Sequence, residues 1–334
     1  MSELVDPAMP WMADALDHAM AEAMLQTSVT LPGIDSSSLR LRDAKLSRHR
    51  QGRRSIIEYT LDARSRGGRR RLQLVGKIRA KSLDRATVRV LSELRDAGFH
   101  PDSEDHISVP ELAGVIPEWH MWLAVRVPGL SLSDHLAGTD REKFAERASD
   151  VARKIHDSGV TATAKHFMRD EIAILNDALS KASEVKPNLA QRIRDVMLAC
   201  HEIARQSGPG RISGIHRDFY ADQIVVSGDN LVVLDLDQFC EGDISLDVGN
   251  FMAHITELSL RLSGNPSTFD DARCALLARA VSNGGARETI LVYDLLSLAR
   301  HIWISMRIEN RNHITEQILA ECERRLEQSS VEIS

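Results

Sequence analysis

Apolar and polar residues alternate through SIIEYTLDA (55–63) and LQLVGKIRA (72–80), the period-two pattern of half-buried strands. Between them, RSRGGRRR (Arg64–Arg71) contains Gly67 and Gly68, so the two strands read as a long hairpin with a basic tip. Strand signals run from Leu39 to Ala80. The period then changes. LDRATVRVLSELRDAGF (83–99) places apolar residues at helical spacing and ends with Gly98 at a C-cap position. HISVPELAGVIPEWHMWLAVRV (106–127) returns to strand character, and Pro128-Gly129 breaks it. Residues up to Ser38 read as a helical leader that closes with the loop LPGIDSSS. Beyond Pro128 helices dominate, with candidates at Asp140–Asp157, Arg169–Ala182, Pro187–Gln206, Ser245–Leu262, Ser267–Ser282, Glu288–Glu309 and Thr315–Gln328. The prediction is an α+β chain with a leader (1–38), a small β-rich lobe (39–127) and a larger, mainly helical lobe (128–334).

One β element interrupts the helical half. In GIHRDFYADQIVVSGDNLVVLDLDQF (214–239), Ser227-Gly228-Asp229-Asn230 reads as a turn between two β-branched runs. Folding on that turn pairs Val226 with Leu231 and Val225 with Val232, and it sets Gln223 opposite Leu234 and Asp222 opposite Asp235. Gln223 and Asp235 therefore finish as neighbours, with Asp218 on the loop just before. Carboxylates brought together repel unless a cation sits among them. Hard oxygen donors, one of them an amide, suit Mg²⁺, which takes one or two protein ligands and completes its shell with phosphate and water. The alternative is a set of solvated strand-end charges. The apolar runs argue instead for a buried hairpin whose open end faces a cleft.

Composition narrows the class. Aromatic residues make up only 4% of the 334, which argues against a stacking platform for nucleic acid. Cys200, Cys240, Cys274 and Cys322 show no CxxC pairing, a pattern of reduced thiols in a cytoplasmic protein and not of a disulfide framework or zinc site. No apolar stretch is long enough to span a bilayer, so no membrane partner is expected. The first residues carry early acids and no basic n-region, unlike a signal peptide. The net charge of −6 is unevenly spread, with about fifteen Lys or Arg against three acids between Arg40 and Lys81. The basic hairpin tip reads as a solvated surface; the competing reading is a phosphate-rich partner.

The catalytic-looking segment also resembles a known family. His216-Arg217-Asp218, Gln223 five residues on, Asp235 twelve further, and Asp243 and Asp247 in GDISLDVGNFMAHI are similar to the signature of the aminoglycoside phosphotransferase and choline kinase superfamily. That signature is His-x-Asp, a metal-binding Asn or Gln, an apolar residue followed by Asp, and a later Asp in a D-hydrophobic-Gly/Ala run. A lone HxD would be a weak signal; here five positions in one short region carry separate roles. LVGKIRA resembles the strand bearing the phosphate-binding lysine, which would be Lys77, and the following helix offers Glu93 as its partner. WLAVRVPGLSL resembles the interlobe hinge, which places Val125 and Val127 at the nucleotide, and VARKIHDSG resembles the helix ending in LH. The chain departs from the pattern at RHRQGRRSII, which has one glycine and several arginines where a nucleotide-covering loop would lie. Gln223 replaces the more frequent Asn, as in the maltokinase-like branch.

The resemblance implies a protein-kinase-like bilobal fold and an ATP-dependent kinase of a small molecule's hydroxyl, such as that of a sugar, amino alcohol or aminoglycoside. Asp218 would orient that hydroxyl, Gln223 and Asp235 would hold Mg²⁺, and Lys77, fixed by Glu93, would contact the phosphates. His216 and Asp247 would brace the catalytic loop from inside. Asp237 reads either as a surface acid or as a second metal ligand, and His254 and Trp303 read as packed helix residues. Between Asp235 and Asp247 there is no room for a long activation loop, and no Ala-Pro-Glu follows, which favours a small acceptor over a protein. Acids such as Asp243, Glu257, Asp270, Asp271 and Glu309 are candidates for contacting it. The alternative from another class is a non-catalytic nucleotide-binding regulatory protein, motivated by the irregular covering loop. The acceptor and the oligomeric state stay open at this point.

Overall fold

Alternation along the N-terminal strands has the expected consequence: Ile57, Tyr59, Leu61 and Ala63 are buried, while the residues between them stay partly exposed. The protein, described here by a computed structural model over residues 6–208 and 210–332, divides at Pro128/Gly129 into two compact units.

The first unit is built on an antiparallel five-stranded sheet. Its strands lie in the spatial order Ile34–Arg50, Arg54–Ser65, Gly68–Arg79, Met121–Val125 and Leu112–Ile116. The basic hairpin turns at Arg66-Gly67, with Ser65 opposite Gly68 and Gly68 at φ 109°. Helix Arg85–Asp96 starts at Asp84, whose carboxylate accepts from the Thr87 N–H at 3.1 Å. The leader forms two helices, Met12–Leu16 and His18–Ser28. They share a core with the sheet: Met9, Met12, Ala15 and Leu25 lie with Leu39, Ile57, Leu61 and Leu74. The Tyr59 hydroxyl reaches out of the sheet to donate to the Ala15 carbonyl at 2.9 Å. Gly76 leaves room for that ring, since a Cβ there would stand 2.7 Å from Met121 Sδ and 3.2 Å from Tyr59. The first strand begins at Ile34, ahead of Leu39, so part of the expected loop LPGIDSSS is strand. Its pairing is irregular between Asp35 and Arg40, where the serine run gives no alternation to read.

In the second unit the hairpin adopts the register that the sequence predicts. Val226 pairs with Leu231, Val225 with Val232 and Ile224 with Val233. The Leu234 N–H then donates to the Gln223 carbonyl at 2.7 Å. Helices follow at Arg141–Asp157, Met168–Val185, Ala190–Gln206, Ser245–Ser263, Asp270–Ser282, Arg287–Arg307 and Thr315–Glu332. Pro187–Leu189 forms a separate 3₁₀ turn ahead of the third of these. A second small sheet, from Lys165–His166, Cys240–Asp243 and Ile212–Ile215, joins the hairpin as β structure in this half. Strands this short carry no readable period, so the sequence does not announce them.

Helices Ser245–Ser263 and Arg287–Arg307 form the centre of this unit and touch at Gly249. A Cβ there would stand 2.6 Å from Tyr293 Cβ, 2.7 Å from Asp294 N and 2.8 Å from Ile290 O. Because two of these atoms are backbone, the helices would have to separate. Gly249→Ala is expected to cost about 1–3 kcal/mol through overpacking, read as a lower urea midpoint; an unchanged midpoint would contradict this helix contact.

Candidate active site

The loop bearing Asp218 follows strand Ile212–Ile215 and is fixed by bonds to its backbone. Asp247, fully buried in the first turn of helix Ser245–Ser263, accepts the His216 N–H at 2.9 Å and the Arg217 N–H at 2.7 Å. Its second partner through Oδ2 is His156 Nε2, which donates at 2.9 Å. The His216 ring is also buried, and its Nε2 donates to the Leu234 carbonyl at 2.8 Å, tying the loop to the hairpin. On the far side of Asp218, Asn250 Nδ2 donates to the Phe219 carbonyl at 2.9 Å. Arg217 sits at φ 71° and Asp235 at φ 52°, both left-handed. Such strain persists where surrounding bonds over-determine it. His156 was not singled out from the sequence, although VARKIHDSG marks its helix.

Asp218 and Asp235 lie close enough for their charges to interact, and the Gln223 carbonyl accepts the Leu234 N–H, next to Asp235, at the open end of the hairpin. Burial pushes the Asp218 carboxyl above its ordinary range; His216, Arg300 and Arg217 pull it back, and Asp235 pushes it further up. Asp235 precedes the 3₁₀ turn Leu236–Gln238, in which Asp237 is half-buried, and Gln223 closes the turn Ala221–Gln223 at 8% exposure. The Asp222 carboxylate accepts a short hydrogen bond from the Ser133 hydroxyl. Among the described residues no cluster of three or more His, Cys, Asp or Glu forms a metal cage. A carboxylate and an amide oxygen beside a second carboxylate nevertheless fit Mg²⁺ that completes its shell with phosphate and water.

In the first unit, Lys77 lies between Ile56 and Trp122 in the sheet, with Nζ 5.2 Å from the Trp122 ring centre. Glu93 binds Arg89, whose Nη1 donates to both of its carboxylate oxygens, at 2.9 and 3.0 Å. The two residues are one helical turn apart on the same face, where such pairs form readily. Val125 ends its strand with its N–H donated to Glu111 O at 2.9 Å, and Val127 is half-buried just beyond.

Next to Asp218 the second unit encloses a cavity of about 370 Å³, whose walls include Tyr220, His254, Glu257, Arg261, Arg300 and His301. His254 is therefore more than a packed helix residue: it stacks on Tyr220 at 4.2 Å and meets His301 edge-on at 4.5 Å. Trp303 does pack against the helical core. Of the acids considered for acceptor binding, Glu257 alone lines this cavity. Asp243 accepts the Ser245 N–H, and Asp270 and Asp271 open helix Asp270–Ser282 beside Arg273 and Arg141. Glu309 is exposed.

This geometry agrees with what known proteins share with the chain. The model of the phosphotransferase enzyme family matches residues 67–271, more than half the sequence. The chain belongs to this family, whose members transfer phosphoryl groups to a hydroxyl of a small molecule. The match includes Lys77, His156, Asp218, Gln223, Asp235 and Asp247. Among solved structures, a choline/ethanolamine kinase family protein from Mesorhizobium loti is similar at 16% identity and TM-score 0.55, over 92% of this chain and 93% of that one. A putative aminoglycoside phosphotransferase from Ralstonia eutropha reaches TM-score 0.58 at 13% identity, over 93% and 97%. An amicoumacin kinase in complex with AMP-PNP and Ca²⁺ reaches 0.58 at 10%, over 97% and 96%. These likenesses establish a kinase-like fold. No curated protein sequence matches the chain.

Proposed function

We propose that the chain moves the γ-phosphate of ATP to the hydroxyl of a small acceptor, with Asp218 as the residue that orients it. The observation that carries this reading is the placement of Asp218: a carboxylate on a loop braced by Asp247 and His216, in the wall of a cavity large enough for a metabolite. The acceptor oxygen attacks Pγ; the new O–Pγ bond forms as the bond from Pγ to the β–γ bridging oxygen breaks. ADP leaves with that electron pair, and the hydroxyl proton passes to Asp218 and on to solvent. Gln223 and Asp235 would hold Mg²⁺, which supplies neutralisation of phosphate charge when bound. Lys77 would add a fixed cation at the phosphates, and Val127 a contact for the base. The amicoumacin kinase bound to AMP-PNP and Ca²⁺ supports a nucleotide and a divalent cation for this fold. Four free cysteines, three of them buried, support a reducing, cytoplasmic setting.

Asp235→Ala is expected to weaken nucleotide binding and to abolish its dependence on magnesium, measured by calorimetry with and without the metal. Equal ATP affinity of the unsubstituted protein in both conditions would remove the metal site.

A further inference from the structure

The cavity beside Asp218 has a charge pattern that no comparison assigns, and it bears on which alcohol the enzyme takes. Four arginines line it: Arg217, Arg261, Arg300 and Arg311. Its three acids already have roles or partners. Asp218 is the proposed catalytic carboxylate, and Asp222 is bonded by Ser133. Glu257, 3% exposed, is clasped by Arg311 at 3.1 Å and Arg261 at 3.5 Å.

The arginines are less fully matched. Arg300 leans on Glu171 at 3.3 Å and on Asn250 at 2.9 Å, but its buried Nε has no hydrogen-bond partner among the described residues. The Arg217 guanidinium has no hydrogen bond or ion pair among them at all; only its backbone N–H is engaged, by Asp247. His301, 1% exposed, lines the same cavity, and neither of its ring nitrogens has a partner there. A buried imidazole left without partners is costly, unless a ligand supplies them.

The electrostatic surroundings of the two histidines agree. Burial lowers the His254 pKa, and His301, Arg300, Arg311 and Arg261 lower it further. Burial likewise takes His301 down to about 3, with Arg300 and Arg311 adding to the effect. Both rings are therefore neutral at pH 7, with arginines prominent among the charges acting on them. An ammonium group entering this space would meet four arginines, with only Asp218 and Asp222 as acids not already paired by one of them.

We propose that the acceptor is an anionic alcohol, a small molecule carrying a carboxylate or phosphate beside its reacting hydroxyl, held by Arg217 and Arg300 and hydrogen-bonded by His301. This rests on the phosphotransferase reading and deepens it by naming the acceptor class. Transfer would form the O–Pγ ester on the hydroxyl, with ATP as donor and ADP leaving, and the anionic group would take no part in bond making. Charge-assisted bonds of this kind are worth about ten- to hundredfold in affinity.

The test is calorimetric titration of the nucleotide-free full chain with two matched series. One is glycerol, serinol, glycerate and glycerol phosphate; the other is glucose, glucosamine, gluconate and glucose phosphate. In at least one series the carboxylate or the phosphate member should bind about tenfold tighter than its neutral counterpart, with the amine weakest. The carboxylate and phosphate arms decide between the two anions. Arg217→Gln and Arg300→Gln should each weaken that binding about tenfold or more, with MgATP affinity as the control for folding. Amines or neutral members binding as tightly as the anions would overturn the proposal. So would the absence of binding by every member, or arginine variants that bind the anion unchanged. Phosphoryl transfer is scored separately: an anion that binds here and is never phosphorylated leaves the acceptor pocket standing and refutes the enzymatic reading instead.

Discussion

Asp218→Asn is expected to lower phosphoryl transfer about 10²–10⁴-fold while nucleotide affinity changes no more than a few-fold. The substitution keeps the size and reach of the side chain but removes the charge that accepts the departing proton. The bonds that hold the loop would survive it, because they are made by Asp247, His216 and Asn250 and not by Asp218. Folding should also be unimpaired: burial already disfavours the ionised Asp218, and Asp235 repels it, so neutralising the site removes an unfavourable charge. The pattern to look for is a kcat effect at constant ATP affinity and an unchanged melting temperature. A variant that phosphorylates at the wild-type rate would remove Asp218 from the mechanism.

The second large effect should come from Asp247→Ala, and it should be of a different kind. Two backbone N–H groups and the buried His156 ring would lose their shared acceptor at once. Each buried donor left unmade costs about 1–3 kcal/mol, against a total stability of about 5–15 kcal/mol for a typical domain. The variant should therefore lose both stability and activity, and its residual activity should not be rescued by excess acceptor. Chemical denaturation and kinetics on the same preparation separate this from Asp218→Asn, which should change the rate alone. An Asp247→Ala protein with wild-type stability would mean that the loop is held by something other than this carboxylate.

What the sequence disclosed depended on how locally each feature is encoded. The hairpin register follows from a turn and two apolar runs within a dozen residues, and the structure reproduces it from Ser227–Asn230 to Ile224–Val233. The long helices were legible for the same reason, whereas the strands Ile212–Ile215, Cys240–Asp243 and Lys165–His166 are too short to show a period. Glu93 also has a local partner, since Arg89, four residues earlier on the same helix face, donates to its carboxylate. That spacing was readable. The His156–Asp247 bond joins residues ninety-one apart, and the arginine-lined cavity draws on positions from Arg217 to Arg311. Only the packing of the helices brings such residues to one place, so no window of sequence contains the signal. Acids such as Asp243, Asp270 and Asp271 suggested an acceptor site by composition, yet the fold engages them in helix starts and arginine pairs.

Phosphoryl transfer to an alcohol is read most directly by following the γ-phosphate itself. The purified full chain, with magnesium and ATP labelled at the γ-position, would be incubated with anionic, neutral and cationic alcohols and the products resolved by mass spectrometry. A kinase should leave label in an alcohol phosphate ester, with one ADP per ester formed, and both signals should be lost in Asp218→Asn. Tight nucleotide binding with the label remaining in ATP across every acceptor would contradict it, and would make the chain a nucleotide-binding regulatory protein on a kinase-like fold.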